Sequence, residues 1–263
     1  MMDMLDYDFM RNAFAAGAIV AVVSGVVGYF LVLRGQTFAG HALAHVGFTG
    51  ATGAVLLGVP SLAGMVMATV AAGVGMGLMG ERLAQRDVAI GIVLALALGL
   101  GLLFLHFFTA YATQATALLF GNVLAVDPPT LWTLLALAVV VFGVLAVIAR
   151  PLLFASLQPE LAEARGVSLR GYAVLFLALV ALATAAAAQI VGVLLVFALM
   201  VGPAAAAQRL TGRVGPGLAL SAGLALAQAW LGIALAYWTD WPSSFWITAL
   251  AAGVYLLAGV RRS

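Results

Sequence analysis

Ten of the eleven arginines in this chain fall in short gaps between long apolar segments, and the gaps that hold them alternate, one in two, along the sequence. The ten are Arg34, Arg82, Arg86, Arg150, Arg165, Arg170, Arg209, Arg213, Arg261 and Arg262; Arg11 alone stands apart. Lys and Arg are retained on the cytoplasmic side as helices insert into a bilayer, so this arrangement sets a topology before any motif is read. With 65% hydrophobic residues, 8% charged residues and a mean hydropathy of +1.20 over 263 residues, the chain lies far outside the range of a water-soluble domain.

Crossing about 30 Å of hydrocarbon takes roughly 20 helical residues. Nine segments reach or approach that length: 12–33, 38–57, 60–80, 88–108, 130–149, 171–187, 190–208, 216–237 and 244–260. Counted from an outside N-terminus, the arginine gaps become the first, third, fifth and seventh loops and the C-terminal tail. The intervening gaps carry Pro60, Asp127, Gln189 and Asp240, with no basic residue among them. The expected fold is therefore an all-α polytopic membrane bundle, one domain over 1–263, with nine transmembrane helices, the N-terminus outside and the C-terminus cytoplasmic. The count becomes eight if the second segment, rich in Gly, Ala and His, dips in and returns. It also becomes eight if the sixth and seventh, joined by a tight turn near Ala188, form one broken element.

Asp3, Asp6 and Asp8 precede the first segment, which lacks the basic start of a cleavable signal peptide and reads as a permanent span. The net charge of +2 comes from arginines at helix ends, so it describes orientation and not affinity for nucleic acid. Without cysteine there is no disulfide and no thiolate site. Without lysine there is no Walker A phosphate loop, so any ATP that drives this chain is bound by another polypeptide.

Small residues recur every four positions, as Gly17, Ala21 and Gly25, as Gly64, Ala68 and Ala72, and as Gly91, Ala95 and Gly99. Such ridges let backbones approach closely where lipid supplies no hydrophobic force between helices. Pro203 removes a backbone donor inside the seventh segment and is expected to kink it.

The polar groups inside the segments are His41, His45, His106, Gln114 and Gln228. His41 and His45, four apart, share one helix face, where neutral imidazoles can converge on zinc or another late first-row ion. The same pair can equally donate hydrogen bonds to neighbouring helices, and spacing alone does not choose. Ala42 stands where a helical zinc protease needs its glutamate. His106 reads as an interfacial histidine, Gln228 as interhelical glue, and Gln114 lies in a polar segment without an assigned role. In the longest basic gap, 150–170, Pro159, Glu160 and Glu163 suit the start of a short helix and Gly166 its end, either a handle for a soluble partner or a plain amphipathic connector.

Four runs give these features a family context: FLVLRGQTFAGHALAHVGFTGATGA at 30–54, LLFGNVLAVDPPTLW at 118–132, FASLQPELAEARGV at 154–167 and VGVLLVFALMVGPAAAAQRL at 191–210. In that order the sequence resembles the membrane-spanning permease subunit of bacterial ABC transporters for zinc and manganese uptake. The resemblance implies that His45 contacts the ion in the pathway, with His41 standing where many members carry aspartate. Two imidazoles in place of that carboxylate favour zinc over manganese. It also implies that segment 154–167, with Gln158, Pro159, Glu160, Ala162, Arg165 and Gly166, docks on a cytoplasmic ATPase. A second permease copy and an extracytoplasmic metal-binding protein complete the implied assembly, in the bacterial plasma membrane and among its lipids. The metal is expected as transported substrate and not as a bound cofactor. The rival readings are a secondary transporter that uses both histidines as proton carriers, and a scaffold in which they are structural; no nucleophile–base pair supports an enzyme.

Because the chain has no native cysteine, Val59→Cys and Ala164→Cys each introduce a single thiol. In spheroplasts a membrane-impermeant maleimide should label the first, and should label the second only after lysis. The reverse pattern would invert the topology.

Overall fold

The computed structural model describes residues 4, 6–79, 83–108, 118–121 and 123–260. Among them, nine long helices correspond one to one with the nine apolar segments: α1 (Asp8–Leu33), α2 (Thr37–Leu56), α3 (Ser61–Leu78), α4 (Leu83–His106), α5 (Pro128–Leu157), α7 (Leu169–Val191), α8 (Val196–Leu210), α9 (Val214–Thr239) and α10 (Ser243–Val260). The short α6 (Pro159–Ala164) joins α5 to α7, and a 3-10 turn at Val123–Ala125 precedes α5. α1, α3, α5, α7, α9 and the part of α4 from Asp87 to His106 are each long and apolar enough to cross a bilayer, while α8 and α10 are shorter apolar helices. This is a polytopic membrane bundle. α2 is one continuous helix whose His, Thr and Gly residues lower its hydropathy.

α1 and α7 are the most buried of the long spans. α7 packs against α2, α3 and α5, α1 packs against α5, α8 and α9, and the two pack on each other, forming a central pair between a group built on α2–α4 and a group built on α8–α10. Contacts fix which helix ends lie together. At the arginine-bearing end, Gln208 Nε2 donates to the Tyr29 carbonyl at 2.8 Å and the Arg209 guanidinium covers the Tyr255 ring, 3.8 Å from its centroid. At the opposite end, Asn12 Nδ2 donates to the Val126 carbonyl at 3.1 Å and Trp230 Nε1 to that of Phe14 at 3.2 Å. The odd arginine, Arg11, is neutralised in place by Asp8 one turn earlier.

Small residues set the helix spacing where the sequence placed two of the three ridges. A Cβ on Gly25 would lie 2.8 Å from the Ala222 Cα, and one on Gly64 would strike the backbone of Gly50. The third expected ridge does not pack: Ala95 and Gly99 are exposed, and nothing approaches Gly91 or Gly99. α4 instead turns Gly101 towards Phe48, and the Thr49 hydroxyl of α2 donates to the Ala97 carbonyl.

The largest departures from the expected boundaries are at the end of α5 and at the break between α7 and α8. α5 runs past 149 to Leu157, because Pro151 costs a single backbone bond while Leu152 and Ala155 keep a buried face. Its start is defined by Asp127, which accepts from the Thr130 N–H at 3.1 Å; hydrogen bonds from Thr130, the side chain first, hold the Asp127 carboxyl below its usual range. The break between α7 and α8 falls at 192–195 and not near Ala188, since Ala185–Ala188 continue the helix and Gly192 (φ +83°) ends it. Val193 N–H and Leu194 N–H then donate to the carbonyls of Leu118 and Leu119, at 3.3 and 3.2 Å. Gly121 (φ +74°) lies directly on Gly192, and a Cβ on either would overlap the other's backbone.

Gly121→Ala and Gly192→Ala should therefore each cost about 2–4 kcal/mol, from backbone strain plus overlap. Gly91→Ala, whose added carbon meets open space, should leave stability unchanged or raise it by up to about 1 kcal/mol. Unfolding midpoints of the purified protein in one detergent check all three.

Candidate functional site

His41 and His45 project from the second and third turns of α2, which follows α1 after only three residues. That turn is rigid: Gly35 (φ +63°) donates to the Val32 carbonyl and Gln36 N–H to that of Leu31, both at 3.0 Å. The helical spacing does what the sequence suggested. The two imidazole centroids lie 4.9 Å apart, edge to face, and the Phe197 ring at the start of α8 stands edge-on to His41 at 5.4 Å.

The two rings differ in setting. His41 is half-buried and His45 is 7% exposed, its Nδ1 enclosed without a hydrogen-bond partner among the described residues. Leaving a buried polar atom unpaired costs about 1–3 kcal/mol, which ordinary interhelical bonding would have avoided. The pair thus shares one helix face, with an enclosed ring nitrogen that has no partner among the described residues. Among the described residues no cluster of three or more His, Asp, Glu or Cys side chains forms, so two imidazoles are the protein's local donor set.

The remaining polar candidates lie elsewhere. His106 is exposed at the last position of α4, against Phe107, and Gln114 falls outside the described residues. Gln228 is 2% exposed, yet neither of its amide atoms has a partner among the described residues. The interhelical hydrogen bond expected of it is not formed among the described residues. Ser221, on the same face of α9, takes that role by donating to the Gly25 carbonyl at 2.6 Å.

At the arginine-bearing end the segment after α5 forms the predicted short helix. Gln158 ends α5 and begins α6, Pro159 takes the first position and Glu160 the first turn. Ala162 is fully buried, while Gln158, Pro159, Glu160, Leu161, Glu163, Arg165 and Gly166 are exposed. Gly166 (φ +80°) closes the helix, with its N–H on the Glu163 carbonyl at 2.9 Å and Val167 N–H on that of Ala162 at 3.0 Å. One buried alanine anchors a rigid, largely exposed projection.

Sequence reasoning missed Phe197 as a neighbour of His41, and it missed the pairing of 118–121 with 192–194. Both lie inside quoted runs, but nothing local to either run names its partner.

Comparison with known proteins places this architecture. The manganese transport system membrane protein MntC of Listeria innocua is 30% identical over 256 residues, 97% of this chain and 91% of that protein. Its namesake in Halalkalibacterium halodurans is 31% identical, over 97% and 88%. A solved structure, PsaBC from Streptococcus pneumoniae in complex with Fab, superposes with a TM-score of 0.87 at 27% identity, covering 98% of this chain and 93% of that one. The model of the ABC 3 transport family matches residues 6–262, nearly the entire length, and the chain belongs to that family.

Proposed function

We propose that this chain imports a divalent transition-metal ion as the permease subunit of an ATP-driven transporter, with the ion passing between His41 and His45. One observation carries the reading: two imidazoles meet on one face of a membrane helix, and the more buried of them keeps an unpartnered ring nitrogen. Burying ionisable groups in a membrane is expensive, and such groups mark ion paths. Two neutral donors hold a dication weakly, which suits a station that must release its cargo.

As a permease subunit the chain carries no ATPase of its own, and hydrolysis belongs to a separate polypeptide. The projection at 158–166 is our candidate for the contact with that partner, since its shape is fixed and its surface is exposed. Nucleotide-driven movement there would bias a two-state bundle between openings to either side. With the N-terminus outside, a metal-binding protein would deliver the ion at the opposite end, and a second permease copy would complete the pathway.

Manganese is the ion we assign first, supported by the names of relatives matched over nearly the whole chain. Zinc, expected from the imidazoles, is the second reading. Donor chemistry favours it, because affinity for nitrogen ligands rises from manganese towards the late first-row ions. A pair of histidines does not itself select manganese, so selection would rest on the protein that delivers the ion and on availability.

Uptake of radioactive manganese by the reconstituted complex should fall at least about tenfold in His45→Ala, the loss that even an outer partner of a metal can cause. Normal uptake at normal protein level would remove the pathway assignment, and uptake without ATP would favour the gradient-driven rival. Preferential zinc uptake in direct competition would replace manganese as the cargo.

A further inference from the structure

The turn that launches the histidine helix is tied to the base of the α6 projection by one side chain. Arg34 caps the end of α1, and its Nη1 donates to Ser156 Oγ at 2.7 Å, 122 residues further along the chain. Ser156 occupies the last turn of α5, two residues before Gln158, and its hydroxyl donates in turn to the Leu152 carbonyl at 2.5 Å. The guanidinium also lies over the Phe176 ring of α7, 5.6 Å from its centroid, within the range of a cation–π contact. Phe176 is fully buried and packs edge-on against Phe30 of α1, at 6.4 Å.

These contacts make a continuous mechanical line. On one side, α5 runs through Ser156 to Gln158, which ends it and begins α6. On the other, the turn at Arg34–Gln36 is locked by backbone bonds to the end of α1 and opens at Thr37 into α2, which carries His41 little more than one turn later. A guanidinium bonded to a hydroxyl is directional and charge-assisted, so a shift of the α5 terminus pulls on the turn without slack.

We propose that Arg34 is a positioning residue that transmits movement of the exposed projection at 158–166 to the histidine helix through Ser156, which lies just before it. This rests on the reading of that segment as the ATPase contact and of the histidines as the ion path. Arg34 touches no ion in this role. It sets where α2 sits when α6 moves, and loss of the link leaves both sites intact but uncoupled.

The test uses the full permease reconstituted with its ATPase and binding protein, with ions transported per ATP hydrolysed as the readout. Ser156→Ala and Arg34→Gln should each lower that ratio about fivefold or more, the scale of a coupling between two sites. ATP hydrolysis and the yield of assembled complex should stay within about twofold of the parent, because Ser156 and Arg34 lie outside the 158–166 projection and the half-buried Ser156 hydroxyl is engaged by Arg34. Ser156→Thr, which keeps the hydroxyl, should restore the ratio. The double variant should be no worse than the worse single one, since both remove the same contact.

An unchanged ratio overturns the proposal, as does a parallel fall in uptake and hydrolysis or an additive loss in the double variant. Should Arg34→Gln fail to assemble, Ser156→Ala and Ser156→Thr decide alone. The unsubstituted complex and His45→Ala are measured alongside: no metal transport by the first, or normal transport by the second, sinks the functional reading itself and is distinguishable from loss of coupling.

Discussion

Inside hydrocarbon no water waits to satisfy a backbone N–H or carbonyl, and no hydrophobic force presses one helix onto another. What remains is close approach, and this bundle is organised around it. At Gly28 the α1 backbone runs against the Met200 carbonyl of α8, at Gly73 α3 runs against Leu177 of α7, and at Gly50 and Gly64 α2 and α3 meet backbone to backbone. Each approach lets many weak dispersion contacts form at once along both helices. The packing of α1 against α8, of α3 against α7 and of α2 against α3 all follows from where glycine permits contact.

Much of this was legible in the sequence, for reasons that are local. Arginines bracket helix ends because charge is costly in lipid, so those at Arg34, Arg170 and Arg209–Arg213 marked boundaries to within a few residues. α6 was readable from Pro159 to Gly166 because caps act on their own neighbours. The extension of α5 beyond Pro151 was hidden, since proline in isolation argues for an end and only the buried Leu152 and Ala155 overrule it. The ridge at Gly91, Ala95 and Gly99 had the right spacing and no partner, because spacing says which residues share a face and not what lies opposite.

The candidate site divides in the same way. Convergence of His41 and His45 followed from helical periodicity. The ring of Phe197 beside them did not, nor did the bond between Arg34 and Ser156, because contacts across more than a hundred residues leave no periodic trace. Gln228 shows the limit from the other side: an amide in a span suggested a hydrogen bond, and the packing of α9 supplied it through Ser221 instead. Burial of His45 Nδ1 without a partner among the described residues is likewise invisible in sequence, and it is the feature on which the proposed ion path rests. Family membership adds the permease role and the separate ATPase, while the cargo depends on donor chemistry that two nitrogens only partly define.

The seam where Gly121 rests on Gly192 has a consequence for how such chains can diverge. Each glycine occupies the volume that a methyl on the other would need, so no single exchange at either place can be rescued by enlarging its counterpart. Drift at these two sites is forbidden separately and jointly, and a redesign would have to rebuild both stretches together, with a new path for the main chain.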